Sequence, residues 1–469
     1  MTAATAALDP EPMPGSGSGV TADDTIVREN FQRWERELAA DSGCSHPIQL
    51  HSRTDMIDMA TGELAPRYGQ VSAACGNRRE AVCPSCSATY KRDARQLVKA
   101  GLAGGKGIPG TITGHPCVFA TLTAPSFGPV HARRMRGKTV LPCRPRRDAK
   151  ARRCPHGHDI SCPARHAETD PRLGQPMCPD CYDYESAVLF NAYAGDLWRR
   201  FVTYLPRRLA RLAGVTQKML RSLAAVRFVK VAEYQARGAV HFHAVIRLDA
   251  PGDGWQPPPP GITAAMLSDA IAQAAALASL AIDHDGRPVT LAFGAQADTR
   301  VIRHGTALPG TGQALDEQAV ANYIAKYTTK TLSVPGLPAQ RIRREADLEH
   351  LRCPAHYRRI ITTAWQLGTR YRAWAHMLGY GGHSLTKSRR YSVTFGQLRA
   401  ARTEHRRASR PADADRDAWG RPLDETVVLV LGTTWTYAGT DRNPTTPIAE
   451  LAAASAARAR EHPGQPTAL

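Results

Sequence analysis

No run in this sequence approaches the roughly 18 uncharged apolar residues that a membrane span needs, and no apolar N-terminal core reads as a signal peptide. These two absences exclude an integral membrane protein and argue against secretion, so a cytoplasmic setting is expected. Aromatic residues are scarce, at 6%, and no strand carries the aromatic pattern of an RNA-recognition fold. Acidic residues are outnumbered, 42 against 61 basic ones, which leaves a formal net charge of +19. Such an excess suits a polyanionic partner, nucleic acid above all, better than it suits most metabolic enzymes. Lysine is also rare: only ten of the 61 basic residues are lysine, and the rest are the bidentate phosphate-binding arginine. At 469 residues the chain has room for two to four folded units.

What is present in clusters is cysteine. Eleven cysteines would give about 0.26 Cys-x-x-Cys pairs by chance, and the chain has two, Cys83–Cys86 and Cys178–Cys181. Each pair can fill two corners of a tetrahedral zinc site. Disulfides are disfavoured in a reducing compartment, and neither pair sits in the βαβ setting of a thioredoxin-like redox motif. The first set is taken as Cys44, Cys75, Cys83 and Cys86, with His46 able to replace Cys44. In the second, Cys178 and Cys181 are joined by two of Cys143, Cys154, Cys162, His156, His158 and His166; Cys154 and Cys162 are favoured because they lie nearest in sequence. Two structural Zn²⁺ ions are therefore expected. Cys117, inside an apolar run, reads as strand core.

Along the chain, residues 1–40 read as a disordered lead-in rich in proline and glycine, and 41–114 as a zinc module closed by a basic helix. Residues 115–335 form the central unit, interrupted at about 129–183 by an insertion rich in Arg, Cys and His. Residues 336–400 are basic and helical. Residues 401–469 form a polar tail with a short strand at Thr426–Tyr437 and a last helix. Within the central unit, Cys117–Thr123 reads as a buried strand and Tyr184–Leu212 as a helix. Two strands follow, Ala224–Tyr234 and Ala239–Leu248, then a helix at Thr263–Ile282, a strand at Val289–Ile302 and a helix at Asp316–Lys330. This order fits an α+β fold, a ferredoxin-like antiparallel sheet with helices on one face, with zinc-binding insertions and a helical C-terminal region.

On the second of the paired strands, alternation puts His241 and His243 on one face and Val240, Phe242 and Ala244 on the other. The turn Ala236-Arg237-Gly238 matches a three-residue hairpin loop ending in a left-handed glycine, which pairs Gln235 with Ala239 and sets Glu233 opposite His241. A carboxylate and two imidazoles then converge without any long-range assumption, a donor set suited to Mg²⁺ or Mn²⁺ acting on phosphate. In the helix over 316–330, Tyr323 and Tyr327 share a face, and Lys326 and Lys330 lie beside them. A phenol titrates near 10, but a neighbouring ammonium favours the phenolate and so the nucleophile. Packing tyrosines and surface histidines are the plainer alternative. Arg133, Arg134, Arg136, Arg144, Arg146, Arg147, Arg152 and Arg153 form one dense basic stretch, and Arg389, Arg390 and the segment 399–410 form another; either could follow a phosphate backbone.

Three phrases together resemble a known family. Phe119-Ala-Thr-Leu-Thr123 resembles the first motif of rolling-circle replication initiators of the HUH endonuclease superfamily. His241-Phe-His243 resembles their metal motif, and Tyr323–Lys330 resembles their catalytic motif in the two-tyrosine form. Cys178-Pro-Asp-Cys-Tyr-Asp-Tyr184 and Gly379-Tyr-Gly-Gly-His383 extend the likeness to initiators of actinomycete plasmids and integrative elements, over most of residues 40–400. The large insertion between the first two motifs departs from the compact viral members.

The resemblance implies a site-specific single-strand endonuclease and strand transferase acting on origin DNA, double- and single-stranded. The metal would be held by His241, His243 and Glu233, and Tyr327 would make the first cut, with Tyr323 as the second nucleophile. The products would be a 5′-phosphotyrosine link and a free 3′-OH for a host polymerase, with a host helicase as partner. Lys326 and Lys330 would position phosphate or stabilise phenolate. A rolling-circle transposase shares these features, and a zinc-dependent DNA-binding regulator without cleavage activity is the rival from another class.

Overall fold

The computed structural model describes residues 43–59, 61–80, 82–146, 153–252, 254–302, 306–307, 314–315, 320–323, 337–338, 340–408 and 428–440. The chain divides into two compact units, Met1–Cys75 with Val427–Leu469, and Gly76–Thr426. The expected final helix after Pro447 lies outside the described residues.

In the first unit, the strand Ile48–Asp58 is the centre of a three-stranded antiparallel sheet, flanked by Leu64–Ala73 and by Val428–Thr440. The short strand expected at Thr426–Tyr437 therefore exists, shifted by a few residues, and it closes this sheet.

The second unit is mixed α and β. Its described elements begin with α1 (Pro84–Ala103), β1 (Cys117–Leu122), α2 (Tyr184–Leu212), β2 (Ala225–Tyr234), β3 (Val240–Asp249) and α3 (Ala264–Leu277). They continue with β4 (Ala297–Val301), α4 (Ala355–Gln366), β5 (Leu385–Lys387) and α5 (Phe395–Ala408). The five strands form one sheet in the order β4-β1-β3-β2-β5, and every neighbouring pair is antiparallel.

Period-2 alternation sorts the strands onto two buried faces. Val118, Ala120 and Leu122 of β1 and Phe242, Ala244, Ile246 and Leu248 of β3 join the cores of α2, α3 and α4. The α2 helix starts where the Asp183 carboxylate accepts from the Ser186 N–H, and it buries Trp198, Phe201, Leu205 and Leu209 at helical spacing. The opposite face, with Cys117, Phe119, Val229, Val231 and Val245, packs with Ala94, Leu97 and Val98 of α1. Cys117 is strand core, as its apolar neighbours led us to expect.

Three elements differ from the sequence reading. Helices cover both faces of the sheet rather than one, because α1 carries an apolar stripe at Ala94, Leu97 and Val98 inside a basic sequence. The helix expected to reach Ile282 stops at Leu277, and Ser279–His284 forms a hairpin with Arg287–Ala292 through an Asp285-Gly286 turn. The strand expected over Val289–Ile302 is therefore broken. Gly294 sits at the break, where a Cβ would come within 2.9 Å of the Ala124 carbonyl oxygen.

Candidate metal and nucleophile site

The β2–β3 hairpin closes as its sequence predicts. The Gln235 N–H donates to Ala239 O at 2.9 Å, the Gly238 N–H donates to Gln235 O at 2.8 Å, and Gly238 takes φ +76°. This register sets Glu233 opposite His241. Glu233 Oε2 lies 3.0 Å from His241 Nε2 and 3.1 Å from His243 Nε2, and the three donor atoms all fall within 4.8 Å of one another. Glu233 and His243 are buried, on the α1 face of the sheet. Burial pushes the Glu233 carboxyl up, but the hydrogen bonds from His241 and His243 outweigh it, so the group sits below its ordinary value. Burial holds His243 below the usual imidazole value, which favours the neutral, ligating form.

Thr121 on β1 lies 3.0 Å from His243 Nδ1 through its Oγ1. A hydroxyl can donate to or accept from that nitrogen, so it can steady either tautomer while Nε2 faces the carboxylate. The sequence offered Thr121 only as the middle of the Phe119–Thr123 phrase; its position opposite His243 follows from the β1–β3 register.

Residues 320–323 are helical, and the half-buried Tyr323 ring stands edge-on to His243, with ring centres 5.5 Å apart. It also meets Phe119 edge-on at 5.6 Å. One phenol is thus packed against a candidate metal ligand. Tyr327, Lys326 and Lys330 lie outside the described residues.

The tip of the hairpin is gripped from several elements. Asn191, fully buried on α2, donates to Gly238 O at 2.9 Å and Leu378 O at 2.8 Å, and accepts from the Val240 N–H at 2.9 Å. Tyr357 donates to Ala236 O at 2.6 Å, and His356 Nε2 lies 3.0 Å from Arg237 O. The Arg237 guanidinium donates to Pro125 O at 2.6 Å and Ala124 O at 2.8 Å. None of these positioning residues carried a local sequence signal, because each acts on a segment distant in the chain.

Among the cysteines, Cys162 is placed differently from the sequence reading. In the first unit the Cys75 N–H donates to Cys44 Sγ at 3.3 Å; in the second, Cys83 and Cys86 open α1. Cys154, Cys178 and Cys181 do come together, but their companion is His156, not Cys162. His156 Nδ1 lies 3.2 Å from Cys181 Sγ and 3.7 Å from Cys178 Sγ. Cys162 instead joins His131, Cys143 and His166. Nearness in sequence misled here: a two-way backbone pairing of Arg144 with Cys162 draws Cys162 toward Cys143. The Cys162-x-x-x-His166 spacing was the available signal. Both sets have donor chemistry able to hold a metal ion.

The family model described as "Replication initiator protein, pSAM2" matches residues 30–457. The chain belongs to this replication initiator family. A replication initiator protein of Streptomyces ambofaciens is 41% identical over 433 residues, covering 88% of each chain. No solved structure matches. In this family member no helix among the described residues is long and apolar enough to cross a membrane. Arg133, Arg134, Arg136, Arg144, Arg146 and Arg153 are exposed on the insertion, with Arg146 bonded to Asp159 at 2.7 Å. Arg389, Arg390 and Arg399 are exposed near and on α5, while Arg402 pairs with Asp93 of α1.

Proposed function

We propose that this replication initiator nicks origin DNA through a tyrosine nucleophile on an HUH-type, ferredoxin-like core, and later rejoins the strand. The order of strands and helices β1-α2-β2-β3-α3-β4, with β1 and β3 central, supports that reading of the core. The carrying observation is the edge-on approach of Tyr323 to His243 on the face that also bears Glu233.

Glu233, His241 and His243 fit a divalent cation: two imidazoles and one carboxylate converge from a single rigid hairpin, and the donor set suits Mg²⁺ or Mn²⁺. When bound, the ion supplies Lewis-acid polarisation of the scissile phosphate. The phenol oxygen of Tyr327, or of Tyr323 in the second cut, attacks phosphorus. A bond from phosphorus to the tyrosine oxygen forms as the bond to the 3′ oxygen breaks, and the 3′ oxygen takes up a proton. The result is a 5′-phosphotyrosine link and a free 3′-OH for host polymerase, with a host helicase opening the duplex. Lys326 and Lys330 favour the phenolate and hold phosphate. Reversal of the same exchange reseals the strand.

Cys44, Cys75, Cys83 and Cys86 we assign to one structural Zn²⁺ on their spacing, and Cys154, His156, Cys178 and Cys181 to another. The exposed arginines bind the phosphate backbone of double- and single-stranded origin DNA in the cytoplasm.

Incubating the purified chain with labelled single-stranded origin DNA and Mn²⁺ should give a covalent adduct that survives denaturation. The adduct should be absent from Tyr323→Phe/Tyr327→Phe, and the two single Phe variants should separate the first cut from the second. His241→Ala or His243→Ala should abolish cleavage and leave duplex binding intact. Cleavage that persists without either imidazole would remove the metal assignment.

A further inference from the structure

The insertion between β1 and α2 has almost no apolar interior of its own. Its separate buried cluster consists of Cys143, Cys162 and Met177, with Ile160 and Ala164 packed alongside. A segment of this length cannot hold its shape on so little apolar burial, and two of the three buried members are cysteines. Around them stand His131 and the buried His166, and the four donor atoms lie within 4.8 Å of one another.

The distances inside this cluster are informative. Zn–N bonds of about 2.0–2.1 Å and Zn–S bonds of about 2.3 Å, set in a tetrahedron, give N···N edges near 3.3–3.4 Å and N···S edges near 3.5–3.6 Å. His131 Nδ1 lies 3.3 Å from His166 Nε2, and Cys162 Sγ lies 3.5 Å from His166 Nε2. The other ring nitrogen of His166 meets the Asp170 carboxylate at 2.7 Å. That contact places the ring proton on Nδ1 and turns the Nε2 lone pair into the cluster, the arrangement in which a carboxylate orients a metal-binding histidine. Arg172 in turn holds Asp170 at 2.9 Å.

We propose that His131, Cys143, Cys162 and His166 form a structural zinc centre, separate from the centre assigned to Cys154, His156, Cys178 and Cys181. It ties the start of the insertion, residue 131, to a point well along it, residue 166. The centre also bears on the β2–β3 hairpin. The backbone of His131 exchanges hydrogen bonds with Gly174 and Gln175 at 2.8 and 2.9 Å. Gly174 lies so close to the hairpin tip that a Cβ there would fall 2.1 Å from Ala236 C. The centre therefore fixes the wall against which the Glu233–His241 ribbon is seated.

The test is the zinc content of the full-length chain, purified without chelator and measured by plasma mass spectrometry. The double variant Cys143→Ser/Cys162→Ser should lose one equivalent relative to the parent, whatever the other cysteine sets carry and whether or not the protein nicks DNA. The cobalt-refilled parent minus variant should give the absorption bands of a tetrahedral two-sulfur, two-nitrogen site. His166→Cys should keep the equivalent and strengthen the thiolate-to-cobalt band. In chelator competition, Asp170→Asn should weaken retention of one equivalent by about 10–100-fold, a readout that does not depend on the double variant folding. An unchanged zinc count in the double variant overturns the proposal. So does a His166→Cys protein with the parent's cobalt spectrum, or an Asp170→Asn protein with the parent's competition curve.

Discussion

Thr121 shows how much of the candidate site depends on groups that touch no substrate. Its hydroxyl, 3.0 Å from His243 Nδ1, is the second contact of a ring whose first contact is Glu233. Replacing it by the near-isosteric valine removes the hydrogen bond and keeps the volume. Thr121→Val should weaken Mn²⁺ binding by about 10–100-fold, measured by isothermal titration, and saturating Mn²⁺ should restore most of the nicking rate. Equal affinity in variant and parent would show that Thr121 does not position the ring. At this scale the sequence was most informative where chemistry is local. The convergence of Glu233, His241 and His243 follows from a three-residue turn and an alternating strand, both readable within the eleven residues from 233 to 243. The contacts of Thr121 and Asn191 depend on register with strands and loops far along the chain, and nothing adjacent to them announces it.

Among elements, β2 carries an unusual member. Lys230 is buried, with its ammonium 4.1 Å from the centre of the Phe242 ring and 5.4 Å from that of Trp198. Burial lowers its pKa from the ordinary lysine value of 10.5 to about 7. The unfolded chain therefore binds more protons than the folded one between those two values, so stability should rise with pH across that window and be lowest below pH 7. Lys230→Met should stabilise the fold by about 1–3 kcal/mol at pH 7, with the advantage shrinking toward pH 10. Denaturant melts of both proteins at pH 6.5, 8 and 9.5 would check this; parallel stability curves would contradict it. The same strands show why element assignment succeeded unevenly. β1, β2, β3 and α2 were readable from periodic apolar residues. The second helical layer was missed because the apolar stripe of α1 is diluted by Lys91, Arg92, Arg95 and Lys99. The end of α3 was missed because the alanine-rich run continues unbroken into the strand Ser279–His284.

At the scale of the whole molecule, the net charge of +19 and the exposed arginines of the insertion suggest how DNA is held. Duplex affinity should fall by about a thousand-fold or more between roughly 50 and 200 mM salt if six or more phosphates are contacted. Arg133→Ala/Arg134→Ala/Arg136→Ala should flatten the slope of log affinity against log salt by about 2–3. Filter binding across that range measures both, and a triple variant with the parent's slope would move the interface elsewhere. The partition of ligands between the two cysteine–histidine sets of the insertion was hidden at this scale too. Four ligands of one centre come from 36 residues of chain, and only the folded path reveals which pairs meet.

The crowded grip on residues 235–240 also has a practical side. Carbonyls of Ala236, Arg237 and Gly238 are all engaged by side chains, and Gly174 leaves no space beside them. An affinity tag or fluorescent reporter spliced into that loop would therefore have nowhere to go. The Asp285-Gly286 turn is the opposite case. Both residues take positive φ, the Asp285 side chain is 80% exposed, and nothing lies within 4 Å of a Cβ placed on Gly286. A label intended to follow this initiator on its DNA belongs at that second loop.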